Sequence, residues 1–185
     1  SNFFYCVLLE FVKSFDIKLT ISIGYANSPF EANIKAYEGK KNEIFLNKEY
    51  SIYGFLNEYS EQEVSIMHFD VDNLTSRGKT NSPYEITSII FNLYVKMLNF
   101  FLQKNSLTFF MGGDNFMVVA NNDAKNIVKD FINLIKKEDG ISLNCGIGNA
   151  KTSREAVRLA TKSLDTIREI RDSGKEKPTV YEISC

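Results

Sequence analysis

HFDVDN at 68–73 and FFMGGDNF at 109–116 decide how this sequence folds. The first stretch closes a mostly apolar run, and residues 64–71 read as a strand that ends at Asp70. The second holds two apolar runs, 108–111 and 114–120, joined by Gly112-Gly113, which reads as a β-hairpin with a type I′ turn and positive φ at both central residues. Between them, Ser82-Pro83-x-Glu85 forms a capping box with proline at the first helical position. A long helix follows, with Ile86, Ile89, Leu93, Met97 and Phe100 on one face at spacings of three and four. Past the hairpin, Ile127, Val128, Phe131, Ile132 and Ile135 mark another helix. Ile141, Leu143, Cys145 and Ile147 then alternate with polar or small residues, the period of a strand. Thr152-x-x-Glu155 opens a helix over 150–170, and residues 179–183 form a last strand. The order β, α, β-hairpin, α, β, α, β from residue 64 predicts an α+β unit with a mostly antiparallel sheet and helices on one face.

An internal repeat extends this reading toward the N-terminus. IKLTISIGYANSPFEANIKA at 17–36 lies over ISLNCGIGNAKTSREAVRLA at 141–160 without a gap. Ile17, Leu19, Ile23, Gly24, Ala26, Glu31, Ala32 and Ala36 meet identical residues, and Phe3, Phe4, Val7, Leu8 and Phe11 match the apolar stripe of the helix before 141. Residues 1–40 thus read as a helix–strand–helix copy of the later unit, and 41–63 as a connector with some helix. No counterpart of the FDVDN strand or the GGD hairpin is found in the first copy, which reads as truncated.

Composition bounds the function. The 185 residues carry 22 Lys plus Arg against 23 Asp plus Glu, a formal charge of −1, so neither a nucleic-acid footprint nor a polybasic membrane surface is expected. No run approaches 18 uninterrupted apolar residues, and the apolar start at 3–12 lacks a basic leader; neither a transmembrane helix nor a signal peptide is expected. Cys6, Cys145 and Cys185 have no metal-like spacing, and a single histidine precludes a histidine-rich metal site. Cys6 and Cys145 fall on apolar stripes as core residues. The expectation is a soluble, cytoplasmic globular protein.

Two carboxylates stand out. Asp70 at a strand end and Asp114 at a neighbouring hairpin can converge on one sheet edge. Two hard anionic ligands suit Mg²⁺, which takes one or two carboxylates and completes its octahedron with water, a backbone carbonyl and phosphates. Gly112 and Gly113 allow a bulky anion to approach the backbone. Taken singly, GGD is an ordinary hairpin turn and Asp70 a polar strand terminus; the pair between apolar strands is what points to a site.

FDVDN followed by MGGDNF resembles the signature pair of the palm-type nucleotidyl cyclases, the GGDEF and class III cyclase group. IRDSGK at 170–175 is similar to the basic end of that group, with Arg171 and Lys175 in its basic positions. The closer resemblance is to the archaeal GTP cyclohydrolase III family, which has two tandem palm-like domains. It is carried by SIMHFDVDNLT, NSLTFFMGGDNFM, GIGNAKTSREA and the IRE helix end, and runs through nearly all of 17–183.

This resemblance implies a ferredoxin-like palm at 64–185 preceded by a truncated copy of the same palm. It implies GTP as substrate, opening of the guanine imidazole ring at C8 with the formyl group kept, and release of pyrophosphate. Mg²⁺ and a monovalent cation such as K⁺ are the implied cofactors. Asp70 and Asp114, with the Val71 carbonyl, would hold metal, neutralise the triphosphate and lower the pKa of a bound water. His68, two residues before Asp70 and on the same face of the strand, is a candidate catalytic residue near guanine or that water, or else a hydrogen-bonded strand histidine. Asn73, Leu74 and Thr75 offer backbone N–H groups to phosphate or form an ordinary turn. Gly112, Gly113 and Asn115 complete the nucleotide-binding candidates at the hairpin, Asn115 otherwise being a strand-start residue. Arg168, Arg171 and Lys175 are phosphate candidates at a helix end, where cations also complement the dipole. A homo-oligomer is expected from the apolar surface that a half-palm leaves exposed.

Two rival functions remain open. A diguanylate or class III cyclase is disfavoured by Asn115 in place of an acidic residue and by the lack of an R-x-x-D pattern before the Gly-Gly turn. A nucleotide-binding palm without catalysis is kept open by the truncated first copy.

Overall fold

A β-branched and aromatic pattern, in short runs bounded by turn residues, builds the N-terminal part of the chain. The computed structural model describes residues 19–55, 63–72, 81–120 and 124–185. The chain divides into two units, Ser1–Asn27 with Glu31–Tyr59, and Ser28–Phe30 with Ser60–Cys185. In the first, β1 (Ile21–Ile23), α1 (Pro29–Lys41), β2 (Phe45–Asn47) and β3 (Ile52–Gly54) follow in order. Their sheet has the order β1-β3-β2, with β1 parallel and β2 antiparallel to β3. Strands therefore stand at 45–47 and 52–54, where a connector with some helix was expected. Phe45, Ile52 and Tyr53 suit a pleated surface, and the Phe45 and Tyr53 rings lie 4.6 Å apart between centroids. The predicted helix before residue 17, with Cys6, lies outside the described residues.

The second unit contains β4 (Val64–Val71), α2 (Pro83–Leu102), β5 (Leu107–Gly112), β6 (Asn115–Ala120), α3 (Ala124–Asp139), β7 (Leu143–Ala150), α4 (Ser153–Asp172) and β8 (Val180–Ser184). This is the element order read from the sequence. The sheet order is β5-β6-β4-β7-β8, and every pairing is antiparallel except β7 with β8. Ser82 caps α2 through a complete capping box: its Oγ accepts from the Glu85 N–H at 3.3 Å, and its own N–H donates to Glu85 Oε2 at 2.7 Å. At α4 only half of the box forms. Thr152 accepts from the Glu155 N–H, while the Glu155 carboxylate turns to Arg158.

Helices cover both faces of the sheet, which corrects the expectation of one covered face. Met67, Phe69 and Val71 of β4, with Cys145 and Ile147 of β7, pack into a core with Leu93, Met97 and Phe101 of α2 and Phe131 of α3. Ile66 and Ala150 pack on the opposite side against Ala156, Leu159 and Ala160 of α4. The small residues between the apolar positions of β7 are the reason. They read as a solvent-facing set, but Gly146 and Gly148 lie directly under α4: a Cβ at either would run into that helix's backbone.

On α2 the buried face is Ile90, Leu93, Met97 and Phe101, with Ile86, Ile89 and Phe100 at its margin, a small rotation from the predicted stripe. By length and composition this helix is apolar enough to cross a membrane, although no uninterrupted apolar run marks it in the sequence. Its inner face is part of the core just described.

The hairpin also departs from expectation in detail. Gly112 pairs with Asn115, so the two central turn residues are Gly113 and Asp114. Only the first has positive φ (61°), as a type II′ connection requires, whereas type I′ needs it at both. Gly112, at φ 102°, takes up an irregularity in the ladder between Phe110 and Gly112.

The sequence repeat has a structural counterpart inside each unit. A Cβ at Gly24 would collide with the Ala32 carbonyl oxygen and the Ala36 nitrogen; one at Gly148 would collide with the Ala156 carbonyl oxygen and the Ala160 nitrogen. These are the residues the alignment superposes. The correspondence continues into the parallel strand that follows each helix: Ile21 pairs with Ile52, and its aligned residue Cys145 pairs with Val180.

Candidate functional site

Strand alternation decides which residues of HFDVDN share a face. Since Met67, Phe69 and Val71 point into the α2–α3 core, His68 and Asp70 point to the α4 side. Asp72 continues the ladder by donating its N–H to the Ser142 carbonyl at 2.9 Å. On β7, Asn144 stands opposite Asp70 and, alternating with Cys145, shares its face. On the other side Asp70 pairs with Asn115, which brings the strand end beside the GGD turn. Thr161, Asp165 and Arg168 of α4, one stripe at spacings of four and three, lie over these residues.

Asp70 is only 7% exposed. Its Oδ2 accepts from Arg168 Nη2 at 3.2 Å and Nε at 3.4 Å, and Arg168 Nη1 donates to Asp165 at 3.0 Å. Burial pushes the Asp70 carboxyl above the ordinary carboxylate range; Arg168 opposes this, and the nearby charges of Asp114 and Asp72 add to the rise. His68 Nε2 lies 3.2 Å from Asn115 Oδ1 and its Nδ1 lies 3.3 Å from Thr161 Oγ1. Burial is the main cause that lowers its pKa below the ordinary imidazole value. Asn115 in turn donates to Asp114 Oδ1 at 3.0 Å.

A second polar cluster adjoins this one. Lys177 Nζ donates at 2.7 Å both to Asp72 Oδ2 and to Asn144 Oδ1. Asp72 Oδ1 and Asn144 Nδ2 are buried and find no hydrogen-bond partner among the described residues, and Arg171 Nη1 stands 4.0 Å from Asp72 Oδ1. Arg171 also pairs with Asp172, and Lys175 is exposed.

Of the residues predicted from sequence, the fold brings together Asp70, Asp114, His68, Asn115 and Arg168, with Arg171 at the margin. Gly112 and Gly113 serve the turn, and a Cβ at Gly112 would meet nothing within 4 Å. Asn73, Leu74 and Thr75 lie outside the described residues. Sequence reasoning missed Asp72, Asn144, Thr161, Asp165 and Lys177. Asp72 was available from alternation with Asp70, and Thr161–Asp165–Arg168 from helical spacing; Lys177, in the segment after α4, carried no such signal.

The donors near Asp70 and Asp114 are oxygens, the chemistry Mg²⁺ takes. The Val71 carbonyl fits the same set. Asp72 directs its N–H toward β7, so its neighbour Val71 directs its backbone groups the other way, past the last β4–β6 pair and toward the hairpin. Burial chiefly raises the Asp70 pKa and the nearby Asp114 and Asp72 add to it, a setting that a hard cation relieves.

Residues 5–180 match the family model described as GTP cyclohydrolase III. The chain belongs to the GTP cyclohydrolase III family. It is 29% identical over 157 residues to the GTP cyclohydrolase III of Saccharolobus solfataricus, covering 84% of this chain and 62% of the relative. To that of Methanocaldococcus jannaschii it is 28% identical over 162 residues, covering 81% and 58%. The chain thus spans about 60% of the length of the curated relatives it matches. Among solved structures, an EAL/GGDEF domain protein from M. capsulatus superposes with a TM-score of 0.55 at 16% identity, over 70% of this chain and 90% of that one. A diguanylate cyclase/phosphodiesterase from Caldicellulosiruptor saccharolyticus does so with a TM-score of 0.56 at 12% identity, over 69% and 79%. These likenesses establish the palm fold expected of a GTP cyclohydrolase III relative. In the family frame, the residues just described occupy the end of the palm sheet where β4 meets the GGD hairpin.

Proposed function

We propose that this chain is a Mg²⁺-dependent hydrolase that acts on GTP. One water is added across the guanine C8–N9 bond, opening the imidazole ring and leaving the formyl group on the pyrimidine. A second water cleaves the α–β phosphoanhydride, giving a formylamino-pyrimidine nucleotide monophosphate and pyrophosphate. The observation that carries this reading is the buried Asp70 with Asp114 beside it at the hairpin end of the sheet, in a chain of the GTP cyclohydrolase III family.

Asp70, Asp114 and the Val71 carbonyl are the groups that would hold Mg²⁺. When bound, the cation supplies charge neutralisation of the triphosphate and activates water. Arg168 holds the Asp70 carboxylate in place, and Arg171 and Lys175 are the cations available to phosphate oxygens at the end of α4. Gly112, Gly113 and the backbone of Asn73, Leu74 and Thr75 would line the approach of the nucleotide. A monovalent cation such as K⁺ and a cytoplasmic setting belong to the same proposal. Assembly as a homo-oligomer is supported by exposed Phe91, Val95, Leu98 and Leu102 on α2, beside Phe110 of the edge strand β5, whose ring lies 5.7 Å from that of Phe91.

Incubation with GTP and Mg²⁺, followed by ultraviolet spectrum and product mass, tests the proposal. Loss of the purine band with a formyl-retaining monophosphate and pyrophosphate is the expected result. A cyclic nucleotide, or GTP left intact when the whole-length protein is assayed, overturns it.

A further inference from the structure

We propose that Thr161, His68 and Asn115 form a hydrogen-bond relay of fixed direction that orients the Asp114 carboxylate, which makes His68 a positioning residue and not an acid or base. The inference rests on the reading of Asp114 as a metal ligand.

The direction follows from donor and acceptor chemistry, taken one contact at a time. An ionised carboxylate can only accept, so the Asn115 atom 3.0 Å from Asp114 Oδ1 must be the amide nitrogen. The amide oxygen of Asn115 then faces His68 Nε2 at 3.2 Å, and that ring nitrogen must carry a proton. In a neutral imidazole the other nitrogen is an acceptor, so Nδ1 takes its hydrogen bond from the Thr161 hydroxyl, 3.3 Å away. Each group is thereby left one role: Thr161 O–H to Nδ1, Nε2–H to the Asn115 oxygen, Asn115 N–H to Asp114.

Position in the fold explains why the relay is needed. Asp114 is the second central residue of a tight turn, and its backbone alone does not select a side-chain rotamer. Asn115 starts β6, opposite Asp70, while His68 stands in the central strand β4 and Thr161 on α4. The turn carboxylate is thus tied, through three hydrogen bonds, to a central strand and a long helix. An ionised acidic residue at 115 could not donate to Asp114. Asparagine there is what the arrangement requires.

His68 is the single histidine of the chain, so imidazole ¹⁵N signals report on one ring. In protein free of Mg²⁺ and GTP, above the ordinary imidazole titration range, long-range ¹H–¹⁵N spectra should show the neutral Nε2–H tautomer. Asn115→Ala should shift the Nε2 signal, Thr161→Val the Nδ1 signal, and Thr161→Ser should restore the latter. An Nδ1–H tautomer, or ring signals unmoved by both substitutions, overturns the relay. Calorimetry with Mg²⁺ reads its consequence: Asn115→Ala should weaken binding about 10-fold, and unchanged affinity in that variant overturns the orienting role. The ring spectrum needs neither metal nor nucleotide, so its outcome is separate from that of the hydrolase reading.

Discussion

Arg168 on α4 reaches Asp70 at the end of β4, with Nη2 3.2 Å and Nε 3.4 Å from the same carboxylate oxygen. The guanidinium favours the charged carboxylate, yet burial, Asp114 and Asp72 together leave the Asp70 pKa raised. An ionised Asp70 is therefore held at a net cost in the metal-free protein, a cost that a bound cation offsets. Asp70→Asn removes the charge, and Arg168 keeps Asp165 as a partner. The variant should lose Mg²⁺-dependent GTP turnover while melting at an equal or higher temperature, at about 2–4 °C per kcal/mol for a chain of this size. Thermal melts with and without Mg²⁺ check the assignment. The cation should raise Tm for the unaltered chain and leave Asp70→Asn where it was.

Lys177 fastens the segment after α4 to the sheet. Among the side chains of the described residues it is the one hydrogen-bond donor to either Asp72 or Asn144, bridging them at 2.7 Å each. Asp72 Oδ1 is already buried without a hydrogen bond from any of the described residues. Lys177→Met would leave a largely buried carboxylate with only Arg171, at 4.0 Å, to compensate its charge among the described residues. A loss of about 2–3 kcal/mol in urea unfolding is expected. Adding Asp72→Asn to Lys177→Met should recover most of it, since it removes the charge that loss of the lysine strands.

The fold was legible where local chemistry and tertiary packing agree. The Ser82-Pro83-x-Glu85 box and the strand at 64–71 stand as read, and the GGD hairpin does so in all but its turn type, because each is set by neighbours in sequence. What escaped was set by distant neighbours. Gly146 and Gly148 carry no label that separates a solvent-facing small residue from one pressed under a helix, and so the second covered face was missed. In the site, Asp70 and Asp114 were visible from their places at a strand end and a turn. Lys177 was not, because its partners Asp72 and Asn144 come near it only through the parallel β7–β8 pairing that carries its segment back to the sheet.

Glu182 gives a pH dependence away from the site. Its carboxylate lies 2.9 Å from Lys125 Nζ on α3 and accepts from Asn149 Nδ2 at 2.8 Å. Lys125 is the main cause that lowers its pKa; burial opposes this, and Asn149 adds a smaller lowering. The folded protein thus binds this proton less readily than the unfolded chain. The resulting stability is present above the ordinary carboxylate range and is lost as pH falls through the lowered folded value. Lys125 is half exposed, so the contribution is under about 1 kcal/mol. Glu182→Gln should flatten the acid limb of a stability–pH curve by that amount and leave its alkaline side unchanged.

The paired glycines offer a test of the repeat as a packing motif. At Gly148 an added methyl would strike the Ala156 carbonyl oxygen and the Ala160 nitrogen, and at Gly24 the Ala32 carbonyl oxygen and the Ala36 nitrogen. These are helix backbone atoms, which cannot turn aside as a side chain does. Gly148→Ala should therefore destabilise by about 1–3 kcal/mol despite the smaller unfolded-state entropy that alanine brings. Gly24→Ala should do the same to its own unit. Hydrogen exchange separates the two, with faster exchange in β7 and α4 for the first variant and in β1 and α1 for the second. Gly112→Ala is the counterpart, since its methyl would meet nothing within 4 Å and only the positive φ is strained. If Gly24→Ala proves as harmless as a surface change, then β1 and α1 are not held together by the contact that holds β7 and α4, and the repeat is one of sequence alone.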